Sequence, residues 1–88
     1  MYDYKEHRQR VFTEEGQVTF IKTRDRVHHL LKTAGAFRES ELGGTGDSWL
    51  IMACVDRLVE LCEIVPLRDP TKCWRQFQVY ASPEVSSR

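Results

Sequence analysis

The side chains best suited to chemistry in this 88-residue chain are three histidines, three cysteines and a scatter of cations. His28 and His29 are adjacent, and adjacent positions on a helix diverge by about 100°, so one metal cannot take both. His7 stands alone, without the i, i+4 companion that a helical metal pair needs. Cys54 and Cys62 lie about 12 Å apart along a helix, too far to share one zinc. No metal site and no cofactor are therefore expected. Cys54 and Cys62 read as small buried hydrophobes. Cys73, with Lys72 and Arg75 near it, is the thiol best placed to be exposed and reactive. The odd number of cysteines, without a CxxC pair, is not a disulfide framework. Gly43, Gly44, Thr45 and Gly46 make either a tight turn between helices or a phosphate-holding loop. The loop reading lacks both a preceding strand and a following GK[ST]. No nucleophile–base–carboxylate set is present and no small-molecule substrate is evident, so the chain is not expected to be an enzyme.

The element that must position most of the remaining candidates is Asp47 to Val65, DSWLIMACVDRLVELCEIV. Asp47 and Ser48 are both good N-cap residues. Ile51, Val55, Leu58 and Cys62, with Leu61 beside them, keep one helical face apolar. Ile64 and Val65 then turn to β-branched residues, and Pro66 forbids further helix. Before it, Thr13 caps a helix whose apolar stripe runs through Phe20, Val27, Leu31 and Ala34, widened by Ile21 and Leu30. Glu14 and Glu15 suit the positive end of its dipole and Lys32 the negative end. Gly16 weakens the start, and Gly35 ends the helix. Ala36 to Leu42 reads as a second, two-turn helix with Phe37 and Leu42 buried. Glu63 to Leu67 and Gln76 to Ala81 read as a β-hairpin around the Asp69-Pro70 turn. Residues 1–12 form an N-terminal extension, either a frayed tail or an arm packing through Tyr2, Tyr4 and Phe12. Residues 82–88 read as a C-terminal tail.

The run RVHHLLKTAGAFRESEL, then DSWLIMACVDRLVELCEIV, then a hairpin resembles the winged-helix superfamily. There a helix packs across a helix-turn-helix, and the third helix ends in a segment of the type LxxxGxI before the wing. Leu58, Cys62 and Ile64 take those places, with Cys62 departing from the usual Gly. The resemblance covers residues 17–81. It implies a mainly α fold with a small β-hairpin, a winged helix-turn-helix of three helices plus a two-stranded wing over residues 13–81. It also implies DNA binding by a small transcriptional regulator, with self-association through the first helix or the tails as a homodimer.

The residues divide between two uses. A groove-reading helix wants Arg, Lys, Asn, Gln, Ser or Thr outward on its first turns. With Ile51, Val55 and Leu58 inward, the outward set is Ser48, Trp49, Met52, Ala53, Asp56 and Glu60, and only Ser48 suits a base edge. From Asp47 to Glu63 one cation, Arg57, faces four carboxylates, a net of −3 that DNA repels. The wing differs: Arg68, Lys72 and Arg75 against Asp69 give +2, and Lys22 and Arg24 on the first helix add cations. The DNA-binding candidates are thus Ser48, Arg57, Arg68, Lys72, Arg75, Lys22 and Arg24, with the wing leading. The other use is a protein interface built on Trp49 and Met52, neighbours on a helix, with Asp56, Glu60 and Trp74. Trp49 is either part of that surface or a core residue covering the second helix.

Composition bounds both. Thirteen Lys plus Arg balance thirteen Asp plus Glu, and the pI is near 6.8, whereas free-standing DNA-binding domains commonly exceed about 9. The length suffices for one small domain. No apolar run approaches the roughly 18 residues of a membrane span, and the N-terminus lacks a signal peptide's apolar segment. A reducing, cytoplasmic setting is the simplest expectation.

Overall fold

The computed structural model describes residues 2–42 and 48–83. The glycine-rich turn over 43–47, with the Asp47 cap, and the tail over 84–88 lie outside the described residues. Within them are three α-helices, α1 (Tyr4–Val11), α2 (Glu14–Ala34) and α3 (Ser48–Glu60). Three two-residue strands join them: β1 (Ala36–Phe37), β2 (Val65–Pro66) and β3 (Tyr80–Ala81). Single 3-10 turns occupy Glu39–Leu42 and Arg75–Phe77.

The N-terminal segment is a helix, and it packs. Asp3 caps α1 by accepting from the Lys5 N–H at 3.0 Å. Val11 at its end is buried with Leu50, Ala53 and Cys54 of α3. Thr13 caps α2, as its position predicts, and does so in both directions. Its Oγ1 accepts from the Gly16 N–H at 3.0 Å and donates to the Arg10 carbonyl at 2.7 Å. Gly16 is less a weakness than a requirement of this corner, because a Cβ there would sit 1.8 Å from the Arg10 carbonyl oxygen. α2 runs 21 residues to Gly35, whose φ of +81° is left-handed and closes the helix as expected.

The two-turn helix expected over Ala36–Leu42 does not form. Ala36 and Phe37 pair instead with Ala81 and Tyr80, and only one 3-10 turn remains. The reason is burial: Phe37 stacks on Tyr80 with ring centroids 5.4 Å apart, and both lie in the core. β3 also pairs with β2, Val65 opposite Ala81 and Pro66 opposite Tyr80. The result is a three-stranded antiparallel sheet in the order β1-β3-β2. It has one strand more than a hairpin alone supplies.

The main core joins Val27, Phe37, Leu42, Val55, Leu58, Ile64 and Tyr80, with Phe20, Leu30, Leu31, Ile51 and Val59 at its margin. Three expectations fail around it. Ala53 faces α1 and is fully buried, not outward. Cys62 and Leu61 are exposed, not core. Cys62 instead takes the left-handed position after α3, at φ +61°. Its N–H bonds the Val59 carbonyl and the Glu63 N–H bonds the Leu58 carbonyl, the paired closure of a Schellman motif. Of the strand expected over Gln76–Ala81 only Tyr80 and Ala81 pair; Phe77 ends a 3-10 turn and is exposed, whereas Gln78 and Tyr80 are buried. Gln78 is accommodated because its side chain bonds both the N–H and the carbonyl of Arg68, at 3.0 and 2.9 Å.

Candidate functional site

Arg75 holds the loop between β2 and β3 against α3. It leaves the 3-10 turn between β2 and β3 and points inward. Its Nε donates to Glu39 Oε2 at 2.8 Å, its Nη1 to Asp56 at 3.2 Å, and its Nη2 to the Met52 carbonyl at 3.1 Å. Nη2 also bonds the second oxygen of Glu39. Tyr2 completes the group, donating to Asp56 Oδ2 at 2.7 Å with its ring 5.0 Å from the guanidinium carbon. Four separate segments thus meet on one cation. Burial raises the Glu39 carboxyl above the ordinary carboxylate range, although Arg75 pulls it down. Burial works against the Arg75 charge, but the bonds to Glu39 and Asp56 prevail, so its proton is held more tightly than usual.

The other carboxylates at this end of the fold are also paired. Glu60 accepts from Arg8 at 3.1 Å, from Arg57 at 2.6 Å and from the Tyr4 hydroxyl at 2.9 Å. Those arginine bonds lower its pKa to about 2. The guanidinium carbons of Arg8 and Arg57 each lie 5.0 Å from the Phe12 ring centre. Glu63 takes Arg24 at 2.9 Å and His28 at 3.4 Å.

What remains on the outer side is aromatic and apolar. Trp49 is 40% exposed, with its ring edge-on to Tyr2 and His7 at 6.3 and 5.0 Å. It is therefore neither core nor bare surface. Trp74 is 76% exposed, the most of any large apolar side chain described, and Leu67 and Phe77 are half exposed on the same loop. A cleft of about 240 Å³ lies under that loop, walled by Asp56, Val59, Pro66, Pro70, Cys73, Arg75, Gln78 and Tyr80. Its one cation is already bound to carboxylates.

The structure separates the sequence candidates. Arg75, Arg57 and Arg24 are held by carboxylates of the same chain. Arg68 is exposed, its Nη1 donating to the Phe77 carbonyl at 3.1 Å. Lys22, Lys72 and Ser48 are exposed. Asp69 is occupied by the Thr71 amide and hydroxyl at 2.9 and 2.7 Å. Of the interface candidates, Met52 and Asp56 are half-buried beneath Arg75 and Tyr2, while Trp49 and Trp74 reach solvent. Sequence reasoning missed Glu39 and Arg8 as members of these clusters and Leu67 and Phe77 as surface, and it offered packing through Tyr2 and Tyr4 only as one of two readings of the N-terminal segment. A carboxylate in a short turn carries no local signal of pairing with an arginine 36 positions away. The aromatic residues at 2 and 4 were the available hint. Among the described residues no group of three potential metal ligands converges. No described helix is long and apolar enough to cross a membrane.

Comparison of the chain with protein-family models, with curated proteins and with solved structures finds no match.

Proposed function

We propose that the chain is a winged-helix module that recognises a protein partner through the wing, with Trp74 as its anchor. The winged-helix reading is supported by the order of elements, helix–strand–turn–helix–strand–loop–strand, and by the sheet order β1-β3-β2. In that reading α2, the 3-10 turn at Glu39–Leu42 and α3 stand for the three helices, and β2–β3 frame the wing. α1 is then an addition that braces α3.

One observation carries the protein reading. Trp74 is three-quarters exposed while the residue beside it, Arg75, is fixed by carboxylates from two other elements. A large aromatic ring held out on a rigid base loses little freedom on binding, which is what makes an interface anchor effective. Against groove reading, α1 and Tyr2 cover the flank of α3, and Met52 and Asp56 lie under the wing arginine. A reducing, cytoplasmic setting fits the three free thiols.

DNA binding is the second reading, because Arg68 and Lys72 stand exposed on the same loop with no carboxylate of the described residues bound to them. Titration of mixed-sequence duplex DNA at about 50 and 200 mM salt, followed by tryptophan fluorescence, separates the two. The protein reading expects no saturable binding at the lower salt. It also expects partner capture from cells of origin to be abolished by Trp74→Ala and weakened by Trp49→Ala, with both variants folded. Salt-sensitive DNA binding lost in Arg68→Ala and Lys72→Ala, with capture indifferent to Trp74→Ala, overturns it in favour of DNA.

A further inference from the structure

We infer that the partner met by the β2–β3 loop is an acidic segment carrying one bulky apolar side chain, which enters the cleft beneath the loop while its carboxylates meet Arg68 and Lys72. That chemistry deepens the partner reading above and rests on it. The cleft holds about 240 Å³, less than the roughly 300–1,000 Å³ of small-molecule sites, which suits a single side chain. Val59, Pro66, Pro70, Cys73 and Tyr80 give it largely apolar walls. Its polar groups are already committed. Asp56 accepts from Tyr2 and Arg75, Arg75 is further held by Glu39, and the Gln78 amide bonds both backbone groups of Arg68. A polar occupant would give up its water without gaining equivalent partners, whereas an apolar one gains by leaving water. Trp74 leaves the backbone between Cys73 and Arg75, two residues of the cleft wall, so its indole stands at the rim.

The charges around the rim choose the partner. Arg68 lies between Pro66 and Pro70 in the chain, and Lys72 precedes Cys73. Both are exposed, and no carboxylate among the described residues binds either. Asp69, the one carboxylate of the loop, is taken by the amide and hydroxyl of Thr71. Asp56 and Glu39 close on Arg75 and are largely covered. The loop therefore presents two cations and an indole around an apolar hole. Acidic residues on either side of a leucine, isoleucine or phenylalanine complement all of these at once. A basic segment is repelled by Arg68 and Lys72. A DNA duplex satisfies the two cations through its phosphates but leaves the cleft empty. Exposed ion pairs are individually weak, so the apolar side chain supplies most of the affinity and the charges set the choice of partner.

Selection of short random displayed peptides on the full chain, with every recovered clone screened again on Trp74→Ala, tests the two levels separately. If no clone depends on Trp74, the partner reading falls and the inference falls with it. Among Trp74-dependent clones, acidic residues should flank a bulky apolar one. Clones that are basic, or that carry no acidic residue, overturn the inference and leave the partner reading standing. One acidic clone, made as a fluorescent synthetic peptide, is then followed by anisotropy. Arg68→Gln and Lys72→Gln should each weaken it about threefold and together about tenfold. Bound peptide should also slow alkylation of Cys73 about tenfold, while Cys62, outside the cleft, reacts as before. An affinity indifferent to both charge substitutions overturns the inference, as does a Cys73 that the peptide leaves unprotected. Saturable binding of mixed-sequence duplex DNA that the same two substitutions abolish, with no acidic peptide recovered, gives the site to nucleic acid instead.

Discussion

Arg75→Met should cost the fold about 2–3 kcal/mol at pH 7, more than an exposed ion pair is worth. The side chains of Arg75, Glu39 and Asp56 retain 28%, 13% and 19% of their exposure. Breaking a fully buried pair costs about 3–5 kcal/mol, because an uncompensated charge stays inside. Here water reaches part of the group, so the lower figure applies. Methionine keeps much of the apolar stem, which confines the loss to charge and hydrogen bonds. For a domain of this size the change lowers Tm by roughly 10–20 °C, and urea unfolding followed by far-UV circular dichroism measures it directly. The pH dependence is the sharper half. In the variant Glu39 loses the arginine that opposed its burial, so its folded pKa rises further above the ordinary value of 4.5. A carboxyl whose folded pKa is raised takes up a proton in the native state first, so stability is gained as pH falls through that value. The gap between variant and wild type should therefore narrow from pH 7 to pH 5, and Glu39→Gln in the Arg75→Met background should recover about half of the loss at pH 7. A loss below about 0.5 kcal/mol, or a gap that does not change with pH, refutes the view of Arg75 as a clamp and makes it an ordinary solvated pair.

Three further outcomes follow from the backbone and the titrating groups. Gly16→Ala should destabilise by about 1–3 kcal/mol in thermal melts, although alanine is the better helix former by about 1 kcal/mol, because its Cβ meets the Arg10 carbonyl; a rise in Tm would mean that α1 and α2 do not approach so closely. Cys62→Gly should raise the urea midpoint without changing the m-value, a gain of up to about 1 kcal/mol from relieving an exposed left-handed residue whose thiol makes only a long contact with the Glu60 carbonyl, at 4.0 Å; in the wild type the same exposure should make Cys62 the first thiol alkylated, with Cys54, buried and pushed up to about 11 by that burial, reacting only on unfolding. All three tyrosines should resist ionisation near pH 10, since burial drives Tyr4 and Tyr80 up to about 12 and Tyr2 higher still. Phenolate absorbance at alkaline pH should then appear together with loss of helix, because neutral tyrosine stabilises the fold below the unfolded pKa and that contribution disappears as pH rises. A tyrosine titrating at 10 in the folded protein contradicts the Tyr2 and Tyr4 hydrogen bonds.

The two long helices were legible because each carries its own instructions. Thr13 and Gly35 mark the ends of α2, and Val55 and Leu58 mark the buried face of α3. Segments whose structure depends on distant partners were not legible. α1 has one fully buried residue, Val11, and is held by tyrosine hydroxyls on α3 carboxylates, so no period announces it. Ala36 and Phe37 become a strand only because Tyr80 and Ala81 offer a ladder. Gln78 is buried against the alternation because its amide supplies the Arg68 backbone with partners, a substitution no propensity scale contains. Cys62 takes the left-handed geometry that closes α3 and bears the strain without glycine, which its residue type does not announce.

The candidate site teaches the same lesson about charge. A net of −3 from Asp47 to Glu63 reads, in sequence, as a field that repels DNA. In the fold each described carboxylate there has a cation of the chain beside it: Asp56 has Arg75, Glu60 has Arg8 and Arg57, and Glu63 has Arg24. The acidity of α3 is therefore spent inward and is a weak argument against DNA. The same pairing removes Arg75, Arg57 and Arg24 from the list of phosphate contacts, which is a stronger one, because phosphate affinity scales with the cations left free to displace counterions. What the β2–β3 loop retains after that subtraction is two exposed cations, Arg68 and Lys72, around a tryptophan that the loop could have folded inward. Covering an indole is favourable by a few kcal/mol. Instead the Phe77 N–H bonds the Trp74 carbonyl at 2.9 Å and Arg75 fixes the next residue, so the backbone on both sides of the ring is committed elsewhere. An exposure maintained by that many bonds is built into the loop, and it places the weight of the functional argument on Trp74 rather than on α3.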